Sequence, residues 1–506
     1  MTKRTTGLAL TLACVLALVP QVLGPTLVLA QDADEEMKSL SWTVSNANTY
    51  LNDVLQNDML VWCAPNTAFL GYGTTDSGPF PDDTIWAFPN FVAIAALTTR
   101  STLSDNPAAY NLAMVNSWSE VKTYLRDVGS ATKVVGYVEN GDQLDKPVKY
   151  SYLQFAAMEF LSTAYQQSQN GEMATALNTL YNELLYYQAN SSLGYYGDSR
   201  AFWTAVVGKT SEEIGIKTDQ TDPDYDDPKH LYPLANSSLW AAAGLPHAYL
   251  ALKGTGNEIP AHAVEVAEAA MAFVDSKCWN GLFYFEYPGG DNGRYYLQTQ
   301  ALAMLAYARL YQATHKAPYL TRARALLHNI NQYMWVSGLG GATMYYDVAT
   351  SAYERSTNQA VLQGYGNALL AYAAIELHRA AGYSGSSEFL DTAESIMNFL
   401  WNWMRFATAD EAVNGFVEYI QNTPGKQAYA FQSGYEDRRY TTTNALGLYV
   451  NEQIAWFNRS LWEKYMWYFV GGIGAAVVAT IVVILVRRRS RVGTKLPKVV
   501  KGLIGD

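Results

Sequence analysis

The chain has 506 residues, with 35 Lys+Arg against 46 Asp+Glu and a formal net charge of −11. That acidity excludes a polyanion such as nucleic acid as a natural partner. The length suffices for a self-supporting core, and three cysteines exclude a disulfide-dense scaffold.

At the start, Lys3 and Arg4 precede an apolar run over residues 8–19. Val28-Leu29-Ala30 and then Gln31-Asp32 follow, the layout of a signal-peptidase cut. The expectation is a signal peptide over residues 1–30, removed together with Cys14; the alternative is an uncleaved anchor, since Pro20 and Pro25 lie between the apolar core and the cut. Cys63 and Cys278 are left in an exported domain, residues 31–461.

Hydrophobic periodicity organises that domain. Residues 84–99, 150–167, 238–252, 297–313, 359–380 and 442–456 read as helices apolar nearly all round. Residues 44–60, 107–127, 172–188, 260–275, 319–335 and 388–406 read as helices with one wet face. In residues 319–335, for example, Leu320, Ala323, Leu327, Ile330 and Met334 recur at spacings of three and four. Buried and surface helices alternate, and the first surface helix precedes the first buried one, so it would close a ring against the last. Between hairpins recurs a glycine–aromatic run ending in an acid, at Glu139, Asp198, Glu286, Asp347 and Glu418. Recurrence points to a shared structural duty for those acids. Asn190, Asn236 and Asn458 each begin an N-x-Ser/Thr sequon.

The end of the chain is a membrane signature. Residues 468–486 carry no charge, long enough to cross a roughly 30 Å hydrocarbon core. Trp462, Tyr465, Trp467 and Tyr468 border it on one side, and Arg487, Arg488, Arg489 and Arg491 on the other. A transmembrane helix is expected over residues 466–486, with a basic cytoplasmic tail at 487–506 and the large domain outside. The tail's basic residues suit contact with anionic lipid, so the bilayer itself is an expected partner.

Six hairpins with Gly-aromatic-acid punctuation resemble the six-hairpin glycosidase superfamily. Residues 281–323 (GLFYFEY…YLQTQALAMLAYARLYQATHKAPYLTRA) carry most of the likeness. They are also similar to repeats of the N-acylglucosamine 2-epimerase relatives and of the α-1,6-mannanase family. The resemblance implies an all-α fold, an (α/α)6 toroid of six helical hairpins, to which the C-terminal transmembrane helix is added. An open helical solenoid is the alternative. The resemblance also implies a ligand cleft lined by the loops leading into the inner helices.

Acids and aromatics in those loops are the candidate site. Asp82 and Asp83, followed by Trp86, resemble the paired aspartates of the α-1,6-mannanases; Asp83 would also serve as a helix N-cap. Glycoside hydrolysis needs two carboxyl groups, one as acid and one as nucleophile or base. Glu286, with Arg294 and Tyr295 just after it, and Glu436, beside Tyr435 and Arg438, complete the candidate catalytic set. Trp86, Arg294, Tyr295, Tyr345, Tyr435 and Arg438 are the candidate substrate-binding residues, because aromatic faces stack on sugar rings. Asp222, Asp224 and Asp226 alternate like Ca2+ ligands, but the stretch lacks the turn glycine and closing glutamate of an EF-hand. It reads as a solvated loop, and no cofactor is expected. Epimerases of this fold rely on histidine bases, and histidine is scarce: of six, His247 sits in an inner helix, His230 in the acidic loop, and His262 and His328 on surface helices, which counts against an epimerase. The reading is a membrane-anchored cell-surface carbohydrate-active protein, a glycoside hydrolase in its first form. The alternative is a non-catalytic module that binds glycans or proteins.

Overall fold

The computed structural model describes residues 43–55, 72–73, 86–103, 107–130, 134–139, 148–188, 199–206, 235–286, 288, 294–347, 361–382, 387–406, 415–416, 419–422, 429–431 and 439–458. All fall in the compact unit Leu40–Asp506. Among them are twelve helices of ten residues or more. In chain order these are α1 Val44–Asp53, α2 Ala87–Leu103, α3 Pro107–Glu120, α4 Ser151–Ser168, α5 Gly171–Asn182 and α6 Ala235–Leu252. They continue as α7 His262–Lys277, α8 Leu297–Thr314, α9 Ala317–Tyr333, α10 Gly364–Ala381, α11 Ser387–Phe399 and α12 Thr441–Asn458.

The even-numbered helices form a closed inner ring. Each packs on the next, α2 on α4 through to α10 on α12, and α12 packs back on α2. Each odd-numbered helix backs the inner helix before it, and α1 backs α12. The chain therefore folds as an (α/α)6 toroid, closed by its first and last helices as the element order requires.

Composition explains the two layers. Helix α9 has one apolar stripe and buries Leu320, Ala323, Leu326, Leu327 and Ile330. Helix α8 is surrounded, and it buries almost every residue from Leu297 to Leu310. Small residues let inner helices approach closely. A Cβ at Gly244 of α6 would collide with the carbonyl oxygen of Phe155 on α4.

A second repeat ties the ring at its N-terminal end. The fourth residue of every inner helix is polar and buried: Asn90, Gln154, Ser238, Gln300, Asn367 and Asn444. Gln154 accepts from Tyr137 N at 2.7 Å and donates to Tyr137 O at 2.8 Å. Gln300 does the same with Tyr284, both at 2.9 Å, and Asn367 with Ala342, at 2.8 and 2.9 Å. Asn444 accepts from Phe416 N, and Ser238 from Phe202 N. Two residues further along four of these runs, a carbonyl accepts the first N–H of the previous inner helix. These pairs are Glu139 O with Ala87 N, Thr204 O with Ser151 N, Glu286 O with Ala235 N and Met344 O with Leu297 N. Each of these four runs thus caps one inner helix and pairs with the next, satisfying donors that a helix start leaves open.

This register corrects the sequence alignment of the repeat. Glu139 and Glu286 are equivalent, but their counterparts in two other hairpins are Thr204 and Met344, not Asp198 and Asp347. Asp347 instead pairs in strand register with Arg294. Two surface helices also end in π-helical turns, Val121–Leu125 and Leu400–Met404, where periodicity predicts a continuous α-helix. The predicted start of α10 at residue 359 shifts to Gly364, because Val361–Gln363 is a strand paired with Tyr419–Asn422. Among the described residues, no helix is long and apolar enough to cross a membrane. The predicted span at residues 466–486 lies outside the described residues.

Candidate functional site at the mouth of the toroid

The second residues of three inner helices, Phe88, Tyr152 and Tyr365, meet at the N-terminal mouth of the ring. Phe88 of α2 is central. Its ring makes edge contacts with Trp240 of α6 at 5.7 Å, Tyr365 of α10 at 6.1 Å and Phe160 of α4 at 6.0 Å, and it meets Tyr152 at 6.4 Å. These residues come from four inner helices and form an aromatic floor. Phe88, Tyr152 and Tyr365 keep part of their surface exposed, whereas Trp240 and Phe160 are buried beneath.

Two glutamates stand at this mouth. The Tyr152 hydroxyl donates to Glu139 Oε1 at 2.7 Å. Burial, and then the Glu139 carboxylate, push the Tyr152 phenol well above its ordinary range, so it stays a neutral donor. Glu286 Oε1 accepts from Gln298 Nε2 at 3.3 Å and Thr299 Oγ1 at 3.5 Å, at the start of α8. Both carboxylates are half-buried.

The structure separates the other predicted site residues. Trp86 is half-buried directly before α2, and its carbonyl accepts from Asn90 Nδ2 at 2.7 Å. The Arg294 guanidinium stacks over the Tyr345 ring at 4.6 Å, and Tyr345 also meets Tyr296 at 5.9 Å. Tyr295 is not presented to a ligand. It is 3% exposed, packs among Phe283, Phe285 and Tyr346, and accepts from Asn280 Nδ2 at 2.6 Å. Alternation along a strand explains this, since Tyr295 points opposite to Arg294 and Tyr296. Asp82, Asp83, Tyr435, Glu436 and Arg438 lie outside the described residues, as do Cys63 and the acidic run holding Asp222, Asp224 and Asp226. Cys278 is a buried free thiol. Among the described residues, no group of three His, Cys, Asp or Glu side chains is placed to hold a metal ion.

Below the aromatic floor lies a feature that the sequence reading missed. Arg309 of α8 bonds both Glu159 of α4 and Glu376 of α10, with all three side chains at most 2% exposed. His247 of α6 meets Glu159 at 2.9 Å and Gln166 at 3.3 Å. Tyr372 donates to Glu159 at 2.7 Å and Tyr449 of α12 to Glu376 at 2.6 Å. Arg379 joins Glu376 to Gln453, and Arg100 of α2 pairs with Glu452 of α12. The network touches every inner helix. Burial raises the Glu159 and Glu376 carboxyls, but nearby cations more than offset it and hold both down to about 2. For Glu159 the cation is Arg309, helped by the hydrogen bond to His247, and for Glu376 the cations are Arg309 and Arg379. Burial and then Arg309 keep His247 below its usual value, hence neutral. Its central members, Glu159, Arg309 and Glu376, are buried between the inner helices.

The closed ring of six hairpins is an (α/α)6 toroid. Solved structures agree. A D-mannose isomerase matches with a TM-score of 0.59 at 13% identity, covering 84% of this chain and 99% of that one. The cellobiose 2-epimerase of Bacillus thermoamylovorans matches at 0.56 and 12% identity, covering 81% and 99%. A family 76 α-mannanase from Bacteroides thetaiotaomicron matches at 0.54 and 12% identity, covering 82% and 96%. No family model matches the sequence, and no curated protein does.

Proposed function

We propose that this is a membrane-anchored, cell-surface carbohydrate-active protein whose mouth takes a glycan, and that it is a glycoside hydrolase. The observation that carries the reading is the aromatic floor of Phe88, Tyr152 and Tyr365 with Glu139 and Glu286 beside it. Apolar sugar faces stack on such rings, and hydrolysis needs paired carboxyl groups close to them. The similar solved structures act on mannose, cellobiose and α-mannan, which supports a sugar ligand. The scarcity of histidine favours hydrolysis over epimerisation, and among the described residues the placement of four of the histidines fits that reading. His247 and His378 are buried deep in the inner helices, and His262 and His328 sit on outer ones. Asp82, Asp83, Glu286 and Glu436 are the proposed catalytic carboxyls.

The test uses the full-length protein in detergent with α-mannan, cellobiose and mannose. Calorimetry reads binding, and reducing-end release reads hydrolysis. The hydrolase reading expects both, and Asp82→Asn or Asp83→Asn should abolish release while stability stays within about 1–2 kcal/mol, the range of a lost helix cap. Binding without turnover assigns the non-catalytic module instead. Neither binding nor turnover ends the carbohydrate reading. The proposed topology has its own test: protease added outside intact cells should remove the bulk of the chain and spare an epitope after Arg487. Protection of an epitope at residue 200 would contradict it.

A further inference from the structure

We infer that Glu139, an acid whose recurrence in the sequence suggests a purely structural duty, is a catalytic carboxylate of the mouth. The inference rests on the carbohydrate reading above.

The repeat does not need this carboxylate. Its structural duty at position 139 is performed by the backbone carbonyl, which caps α2 through Ala87 N at 2.9 Å. Thr204 and Met344 cap α4 and α8 in the same way without an acid. The side chain is therefore spare with respect to the fold. Among the described residues, Tyr152 is its one hydrogen-bond partner.

Geometry aims it at the ring axis. In the ring order, α4 and α10 stand opposite each other. Seven residues along a helix return to nearly the same face about 10 Å further on. Tyr152 and Glu159 are so related on α4, and Tyr365 and Tyr372 on α10. At the lower level the two helices meet across the axis, with Tyr372 bonded to Glu159 at 2.7 Å and its ring tilted against Phe160 at 5.7 Å. Tyr152 and Tyr365 are the upper level of the same column, open to the mouth, and both join Phe88. Glu139 Oε1 lies 2.7 Å from the Tyr152 oxygen, so the carboxylate reaches the central floor rather than the rim. Glu139 also caps the helix that the Asp82–Asp83–Trp86 segment leads into.

The chemistry follows. Glu139, oriented by a phenol that stays neutral, takes the proton of a water as that water's oxygen bonds to the anomeric carbon. The glycosidic C–O bond breaks, and the leaving oxygen takes its proton from a second carboxyl group, Glu286. One water is consumed per bond, and the proton on Glu139 returns to the second group through solvent.

The test uses full-length protein with α-mannan as the probe. Glu139→Gln keeps an oxygen acceptor for Tyr152 and leaves the backbone cap intact. We expect turnover to fall at least 100-fold, in the range of a lost general base, with mannan affinity within threefold and the unfolding midpoint unchanged. Glu139→Ala should regain part of the lost turnover in added formate, which a structural role would not allow. Tyr152→Phe should lower kcat and leave KM in place, and it reads the same carboxylate if the Glu139 variants fail to fold. Wild-type turnover in Glu139→Gln, or no effect of Tyr152→Phe, overturns the inference while the carbohydrate reading stands. Absence of mannan, cellobiose and mannose binding by the unaltered protein overturns both.

Discussion

Arg309→Leu is the most informative perturbation of the fold. The guanidinium is the shared cation of two glutamates, bonded to Glu159 by Nε and Nη2 and to Glu376 by Nη1 at 2.6 Å. Leucine fills much of the volume but leaves two buried carboxylates without their common partner. His247 and Arg379 compensate only in part, since His247 is held neutral and Arg379 reaches Glu376 alone. Removing one partner of a buried ion pair costs about 3–5 kcal/mol. Urea unfolding of the purified protein at pH 7, followed by tryptophan fluorescence, should show a lowered midpoint of that size at an unchanged slope. The loss should shrink in acid. Without Arg309 the stranded carboxyls take up protons more readily than those of the parent, and each recovers up to about 1.4 kcal/mol per pH unit in which it titrates. The triple variant Arg309→Leu, Glu159→Gln, Glu376→Gln should recover most of the stability. An Arg309→Leu protein as stable as its parent at pH 7, or a deficit unchanged between pH 7 and pH 5, would refute this account of the network.

Three further outcomes follow from the same contacts. Glu159 and Glu376 are depressed from an ordinary 4.5 to about 2, so their stabilisation is full above pH 4.5 and is lost as pH falls toward 2; His247, also depressed, removes a smaller share as pH falls below 6.5. An unfolding midpoint that rises on acidification would contradict both signs. Gly244→Ala should cost about 1–3 kcal/mol by forcing α6 off α4, and an unchanged midpoint would mean that the two helices are not in contact there. The Cys278 thiol, which burial pushes up to about 12, should resist alkylation at pH 8 until the protein unfolds. Cys278 is a buried free thiol, so non-reduced mass spectrometry should find no bridge between it and Cys63.

The helices were legible because burial writes itself into periodicity. Residues 297–313 read as surrounded and residues 319–335 as one-faced, and α8 and α9 are so placed. Ring closure by α1 was legible from element order alone. The polar devices were present but unread. Each inner helix carries an isolated charge or histidine in an otherwise apolar run: Arg100, Glu159, His247, Arg309, Glu376 with Arg379, and Glu452. Taken singly, such a residue suggests a helix less buried than its neighbours. Only their shared depth shows that they neutralise one another across the ring. The buried amides at the fourth helical position were hidden in the same way, because Asn and Gln near a helix start read as capping. The π-helical turns have no compositional signal, since one extra residue per turn leaves the apolar pattern nearly intact. At the mouth, the carbonyl of Glu286 performs the expected structural duty, capping α6 through Ala235 N, while its side chain accepts from Gln298 and Thr299. For Glu139, sequence recurrence gave no sign that the side chain meets Tyr152 while the carbonyl does the capping.

The central claim is that a glycan sits on the mouth formed by the N-terminal ends of the inner helices. Hydrogen–deuterium exchange of the full-length protein, with and without saturating α-mannan, tests it most directly. Slowed exchange is expected in residues 87–90, 136–139, 151–154, 297–300 and 364–367, which surround Phe88, Tyr152 and Tyr365. Protection at the opposite, C-terminal ends of α4, α8 and α10, or only on the outer helices, would contradict the account.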